Sequence, residues 1–309
     1  MNTAAADAAV APASPSRLWP GVIELGSRFA RAPAPVAFFR EQGSGPGVVC
    51  LHSSAGSSSQ WRGLMDSLSA RCHVLAADSY GAGKTPAWPA DRKASLHDEV
   101  ALLEPVFARA GDPFTLVGHS YGGGIALIAA VTRQQRVRAL VLYEPTLFCL
   151  LDEEMPPPNE ADGIRETIAG VKAALAAADP DAAAERFIDY WAGAGAWAAM
   201  PEARRESIAA QIVNAEAWAD ALLTESTPLD AFTRLRIPVL LMVGSKSPAS
   251  SRGVARVLAS ALPQATVVEF DGLGHMGPLT HPEIVNEVIE NFVTYHQPLA
   301  RADLARVSA

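Results

Sequence analysis

The sequence has few cysteines, a modest share of charged residues and no apolar run long enough to span a bilayer. Its three cysteines, Cys50, Cys72 and Cys149, are an odd number without Cys-x-x-Cys spacing. Two of them fall in predicted core strands, so we expect reduced thiols in a cytoplasmic protein rather than a disulfide framework. Histidines, cysteines and carboxylates are not grouped at metal-ligand spacing, and no metal or other cofactor is expected.

Basic residues are outnumbered by acidic ones. Lys and Arg number 25 against 33 Asp and Glu, a formal net charge of -8, which would repel nucleic-acid phosphates. We therefore expect a small-molecule substrate, with no nucleic-acid partner and no membrane span. Residues 1–20 are rich in Ala, Pro and Ser and lack a basic start, so they predict a mobile tail and not a signal peptide; 297–309 is predicted to be a second tail.

Short apolar runs alternate with helical patterns along most of the chain. Strands are predicted at 36–40, 47–52, 72–77, 114–117, 138–143, 237–243 and 265–270. Helical patterns separate these runs, but 146–235 contains helical patterns and no buried strand. This arrangement predicts an α/β fold at 21–145 and 236–296, with a mostly parallel sheet flanked by helices and a helical cap inserted at 146–235.

The most informative motif surrounds Ser120. Residues 118–122 read Gly-His-Ser-Tyr-Gly, directly after the apolar run 114–117 and before a small-residue apolar helix. A serine hydroxyl is a poor nucleophile at neutral pH, so it must be exposed on a tight strand-to-helix turn beside a base. Because the context is strand, turn and helix, it favours a nucleophile elbow over an ordinary glycine-serine loop.

His275 is the candidate base for this serine. It lies in a glycine-bearing loop, Gly-Leu-Gly-His-Met at 272–276, after the last predicted strand. An imidazole that titrates near neutral pH can take the serine proton and return it to a leaving group. The order of the serine before the histidine also fits a nucleophile-elbow enzyme.

Three further motifs follow one another in order. Residues 51–55 read Leu-His-Ser-Ser-Ala, 78–83 read Asp-Ser-Tyr-Gly-Ala-Gly, and 274–276 with 281–283 read Gly-His-Met and His-Pro-Glu. With the elbow they resemble the oxyanion loop, the D-x-x-G-x-G turn and the terminal histidine segment of the α/β-hydrolase superfamily, in its serine-nucleophile, esterase-like branch. The resemblance spans about 35–296 and implies that the insertion is a lid.

The chain departs from this family at the acid that should orient the histidine. The resemblance implies an aspartate after the strand at 237–243, and Ser247 occupies that position. Glu144, at the end of the strand that follows the elbow helix, is the candidate replacement, because some members place their acid there; the alternative is a solvated boundary residue. Other carboxylates to be considered are Asp271, Glu269 and Asp78.

The oxyanion hole is expected to use backbone N–H groups of Tyr121 and Ser54. Ser53 replaces the glycine that the family usually has beside the hole, and serine tolerates left-handed backbone angles less well. The hydroxyls of Ser53 and Ser54 have a second interpretation, as donors within the loop.

Large apolar side chains concentrate in the predicted cap. They either roof an apolar pocket over Ser120 or form the cap's own core. These side chains belong to Phe187, Tyr190, Trp191, Trp197, Met200 and Trp218.

The sequence thus predicts a serine hydrolase that cleaves a carboxylic ester of a small to medium apolar substrate through an acyl-serine intermediate. Enzymatic alternatives that reuse the same residues are a carbon–carbon bond hydrolase and a cofactor-free perhydrolase or haloperoxidase. An alternative of another class is a ligand-binding protein on a hydrolase scaffold, which the missing acid at Ser247 favours.

Overall fold

The structure is a computed structural model, which describes residues 35–89 and 91–297. The tail predicted at 1–20, the first residues of the predicted core and all but the first residue of the tail at 297–309 lie outside the described residues.

Within the described part of the chain, seven strands form one sheet in the order β1-β3-β2-β4-β5-β6-β7. β1 is antiparallel to β3 and the other neighbouring pairs are parallel, which confirms the predicted mostly parallel sheet. The strands are β1 (Phe39–Gly43), β2 (Gly47–Leu51), β3 (His73–Ala77), β4 (Phe114–His119), β5 (Val137–Tyr143), β6 (Val239–Gly244) and β7 (Ala265–Phe270).

The strand predicted at 36–40 is misplaced. β1 pairs from Phe39, opposite Ala77, to Gly43, opposite His73, and Val36 is 53% exposed ahead of it. β1 is an edge strand, held by backbone pairing on one side, so its polar second half belongs to the ladder although no apolar pattern marks it.

Helices cover both faces of the sheet. Outside the insertion they are α1 (Arg62–Leu68), α2 (Leu96–Leu102), α3 (Glu104–Ala110), α4 (Tyr121–Thr132), α11 (Ala249–Ala261), α12 (Gly277–Thr280) and α13 (Pro282–Tyr295). Alternate residues of β2 divide between two apolar clusters: Val48 belongs to the cluster that includes α1 and α13, whereas Val49 belongs to the cluster that includes α2, α3, α4 and α11. Burial on both faces explains why the parallel strands are continuous apolar runs in the sequence.

Local sequence accounts for how two of these helices form. α2 begins after Ser95, whose hydroxyl oxygen accepts the N–H of Asp98 at 3.1 Å as an N-cap. α13 buries Val285, Ile289 and Val293, spaced four residues apart on one helical face.

The segment between β5 and β6 is built from helices. They are α5 (Cys149–Glu154), α6 (Asp162–Ala176), α7 (Pro180–Ala192), α8 (Glu202–Gln211), α9 (Ala215–Leu223) and α10 (Leu229–Thr233). This cap shares one apolar cluster with the sheet and α4. Trp218 of α9, for example, has its ring centroid 6.4 Å from that of Tyr121, so the cap is packed directly onto the elbow.

None of the helices in the described residues combines the length and the apolar character that a membrane crossing requires.

Candidate active site

Ser120 lies at the sharp turn between β4 and α4. Its backbone has φ 55° and ψ -117°, an uncommon conformation for a residue with a side chain. The flanking glycines are needed for space: a Cβ at Gly118 would lie 2.5 Å from the Gly122 oxygen, and one at Gly122 would lie 2.4 Å from the Leu51 oxygen. Close packing of α4 against β2 and β4 therefore requires both glycines that the sequence motif contains.

The structure brings Ser120, His275 and Glu144 together. His275 Nε2 is 2.8 Å from Ser120 Oγ, and His275 Nδ1 is 2.6 Å from Glu144 Oε2. The three residues follow β4, β7 and β5, so they meet at the carboxyl edge of the parallel sheet, where such folds bind their ligands. All three are buried, with exposed fractions of 4%, 2% and 0% in that order.

Glu144 is held by more than His275. Its Oε1 accepts the Ser247 hydroxyl at 2.5 Å and the Gly244 N–H at 2.6 Å. Burial raises the pKa of this carboxyl, but the hydrogen bond and charge of His275, with the two bonds to Oε1, lower it below its ordinary value. Glu144 thus stays ionised at neutral pH.

Ser247 therefore has a place that sequence reasoning missed. The serine at the position expected for the aspartate donates a hydrogen bond to the carboxylate, which lies instead at the end of the neighbouring strand. The position of the loop could have indicated this role. Residues 244–248 follow the strand beside β5, so a polar side chain there is directed to the same edge of the sheet as the end of β5.

The alternative carboxylates have other partners. Asp271 is exposed and accepts the Ser245 hydroxyl at 3.2 Å. Asp78 accepts the N–H groups of Ser58 and Lys84, at 2.6 and 2.9 Å. Glu269 is an exposed residue of β7.

The two expected oxyanion donors belong to segments that are bonded to each other. The N–H of Gly122, next to Tyr121, donates to the His52 oxygen at 3.1 Å. Ser54 lines the same cavity as Ser120. The left-handed residue of this loop is Ala55, with φ 54°, and not Ser53, so the serine in place of glycine meets no left-handed strain.

The side chain of Tyr121, the first residue of α4, is held by a hydrogen bond to a buried carboxyl group. Its hydroxyl donates to Glu99 Oε1 at 3.0 Å, and the Tyr80 N–H donates to Oε2 at 3.2 Å. Burial raises the pKa of Glu99 to about 8, against the effect of these two bonds. No pattern in the sequence indicates this buried carboxyl.

A cavity of about 780 Å³ opens above Ser120 and His275. We use the name floor for Ser120, His275 and Glu144, the groups hydrogen-bonded to them and the backbone of the loop at 51–55. We call the facing surface of α7 and α8 and their connection the roof; its large apolar side chains are Phe187, Ile188, Trp191, Met200 and Ile208.

Both interpretations of the large cap side chains hold, for different residues. Phe187, Trp191 and Met200 line the cavity, and the Trp191 ring centroid lies 4.1 Å from that of His275. Trp197 and Trp218 do not line the cavity and are buried in the apolar cluster that the cap shares with the sheet. Among the described residues, no group of three His, Cys, Asp or Glu side chains is placed to hold a metal ion.

The family model for the alpha/beta hydrolase fold matches residues 46–282. The chain is an α/β hydrolase. The match includes the elbow, the oxyanion loop, the cap and the histidine loop, and it confirms the resemblance carried by the motifs.

Curated relatives of this hydrolase include proteins named as esterases and hydrolases. The pimeloyl-[acyl-carrier protein] methyl ester esterase of Aeromonas hydrophila is 26% identical over 264 residues, covering 81% of this chain and 96% of the relative. The (E)-2-((N-methylformamido)methylene)succinate hydrolase of Acinetobacter baylyi is 22% identical, covering 82% and 92%. The hydrolase is therefore similar to enzymes over nearly their whole length.

Solved structures agree with this hydrolase in fold. An esterase from Exiguobacterium antarcticum has a TM-score of 0.69 at 20% identity, covering 84% of this chain and 95% of its own. A thermophilic esterase from Thermogutta terrifontis has a TM-score of 0.65 at 22% identity, covering 85% and 94%.

Proposed function

We propose that this hydrolase cleaves carboxylic esters of small to medium apolar substrates through an acyl-enzyme on Ser120. As Ser120 Oγ bonds to the ester carbonyl carbon, its proton passes to His275 Nε2. The tetrahedral intermediate collapses by breaking the bond to the alcohol oxygen, which takes the proton from His275. Water then attacks the acyl group with His275 as base, and the acid leaves as the serine hydroxyl is restored.

The observation that carries the proposal is the continuous chain of bonds from Ser120 Oγ through His275 to Glu144, at 2.8 and 2.6 Å. Glu144 fixes Nδ1 as the protonated nitrogen, leaving Nε2 free to accept the serine proton. It also balances the charge of the imidazolium that forms. The missing acid that favoured a ligand-binding protein has, in this mechanism, been replaced at the end of β5.

The tetrahedral oxyanion is stabilised by the N–H groups of Tyr121 and Ser54. Each such donor contributes on the order of 3 kcal/mol to transition-state stabilisation, because it acts in a site shielded from water. Side-chain identity matters little for backbone donors, which is compatible with a serine at position 54.

The roof favours an apolar acyl or alcohol group. Its aromatic and aliphatic side chains face Ser120 across a cavity large enough for a small to medium ester. Relatives named as methyl ester esterases support an ester as the substrate class.

Intact-mass measurement with a fluorophosphonate probe tests the proposal. The wild-type protein should gain one covalent adduct and hydrolyse short p-nitrophenyl esters; Ser120→Ala should gain no adduct and lose turnover while remaining folded. Ser67→Ala, at an exposed position of α1, is the matched control and should behave as wild type. Undiminished esterase activity in Ser120→Ala would reject the acyl-serine mechanism.

A further inference from the structure

A chain of hydrogen bonds runs from the oxyanion loop to the histidine loop along the wall of the cavity, which Ser53 and Gln60 line. The Ser53 N–H donates to Gln60 Oε1 at 3.1 Å, and the Ser53 hydroxyl also reaches this oxygen, at 3.2 Å. Gln60 Nε2 is 3.0 Å from His119 Nδ1, and His119 Nε2 is 2.8 Å from the His275 carbonyl oxygen. The chain thus joins two loops that are 222 residues apart at Ser53 and His275.

The direction of each bond in this chain is determined. Burial, with the nearby His275, lowers the pKa of His119 well below its ordinary value, so the ring is neutral and carries one N–H. A carbonyl oxygen can only accept, so that proton lies on Nε2 and Nδ1 is an acceptor. Gln60 must then turn its NH₂ group toward His119, which leaves its oxygen for Ser53.

The peptide group between Ser53 and Ser54 is held by hydrogen bonds to its carbonyl oxygen. The Ser53 oxygen accepts from His52 Nδ1 at 2.7 Å and from the Gly56 N–H at 3.1 Å. His52 Nε2 accepts the Ser79 N–H, so Nδ1 is the protonated nitrogen. In a trans peptide the N–H points opposite to the C=O, so the Ser54 N–H is directed away from His52 and Gly56.

We propose that Gln60 and His119 are positioning residues that hold the Ser53–Ser54 segment in the orientation needed for oxyanion stabilisation. The inference rests on the proposed function, because it takes the Ser54 N–H to be a donor to the oxyanion. Neither residue takes part in proton transfer. They act by holding the backbone in place. The side chain of His119, which precedes the nucleophile, links the two loops.

Gln60→Leu tests the proposal, since leucine has similar size and can neither accept nor donate. A misplaced oxyanion donor should lower kcat about 10- to 100-fold, while KM stays within about twofold. The affinity of phenylboronic acid, which forms a tetrahedral adduct on an activated serine, should fall by a similar factor. Gln134→Leu, which removes a side-chain bond to the Arg234 carbonyl far from the cavity, should change none of these quantities.

A double-mutant cycle with His119→Phe tests whether the two residues act as one unit. If His119 acts through Gln60, the double variant should lose little more boronate affinity than the more damaging single variant. Fully additive losses, or an unchanged boronate affinity in folded Gln60→Leu, would overturn the proposal.

Amide hydrogen exchange at Ser53 gives a measurement that does not require turnover. The Ser53 N–H should be protected in the wild-type protein and exchange faster in both Gln60→Leu and His119→Phe. Equal protection in wild type and either folded variant would overturn the proposal. A wild-type protein that bound no boronate would count against the acyl-serine mechanism instead, and the exchange rates would still decide the role of Gln60.

Discussion

The floor and the roof of the cavity are made from different kinds of interaction. The floor consists of buried polar groups whose partners and directions are fixed, from Glu144 and His275 to the backbone of the oxyanion loop. The roof consists mainly of apolar side chains that make non-directional contacts. Directional hydrogen bonds hold atoms in position to within a fraction of an ångström, whereas apolar packing tolerates the replacement of one apolar side chain by another of similar volume.

This difference separates two properties of the proposed enzyme. Changes in the floor should alter kcat, because they displace or discharge the groups that meet the transition state. Changes in the roof should alter which esters are accepted. Trp191 lies at the boundary, since it belongs to the cap and its ring packs, tilted by 31°, against that of His275.

The largest effect of a floor change short of removing the nucleophile is expected for Glu144→Gln. The amide keeps the size of the side chain but carries no charge to balance the imidazolium, so kcat should fall about 10²- to 10⁴-fold with KM little changed. Steady-state kinetics on a p-nitrophenyl ester measures this. Asp271→Asn, at the exposed carboxylate of the histidine loop, is the control; a larger loss there than in Glu144→Gln would reverse the assignment of the acid.

A smaller effect is expected for Ser247→Ala. Glu144 would keep the Gly244 N–H and His275 but lose the hydroxyl donor, and kcat should fall about tenfold, the equivalent of a 1.4 kcal/mol loss. Ser245→Ala, in the same loop but bonded to Asp271, should have little effect. Equal activity of both variants would reduce Ser247 to a loop residue.

The pH dependence of Ser247→Ala sharpens the same test. The Ser247 bond is one of the causes that lower the pKa of Glu144. A carboxylate with a lowered pKa keeps its charge above that pKa and loses it as the pH falls through it. Without the hydroxyl the pKa of Glu144 rises, so its carboxyl carbon, followed by carbon-13 NMR as the pH is lowered, should protonate at higher pH than in the wild-type protein; protonation at lower pH would contradict the assignment.

The three central residues of the floor could be proposed from the sequence because they stand at strand ends. Ser120, His275 and Glu144 each follow an apolar run, and parallel strands bring their carboxyl ends to one edge. The bonds that hold them could not be predicted. Gln60 and Ser247 are ordinary polar residues in their own segments, and their partners lie on other elements of the fold.

The large apolar side chains of the roof could be predicted from the sequence only as a set. The sequence does not show which of them face the cavity. Helical patterns marked 146–235 as helical, but six large side chains could face either the cavity or the interior. The choice depends on how each helix is rotated against α4, which is a matter of tertiary packing. Phe187 lines the cavity and Trp218 is buried against Tyr121, although both lie on apolar faces of their helices.

The smallest effect is expected at the one fixed charge of the roof. Of the described residues that line the cavity, Arg204 of α8 alone carries a permanent charge, and it is exposed. An exposed ion pair contributes about 0.2–1 kcal/mol, so Arg204→Gln should lower kcat/KM for a half-ester such as monoethyl adipate by up to about fivefold. The neutral diethyl ester should be unaffected, since it offers no anion.

Arg205→Gln is the matched control, because it removes the same charge from a guanidinium that lies over the Trp197 ring, 5.9 Å from its centroid. The preference of Arg204 for the anionic ester should also weaken with added salt, because exposed charges are screened. Equal losses on the half-ester and the diester would mean that Arg204 contributes shape to the roof and no charge recognition, and the roof would then be wholly non-directional.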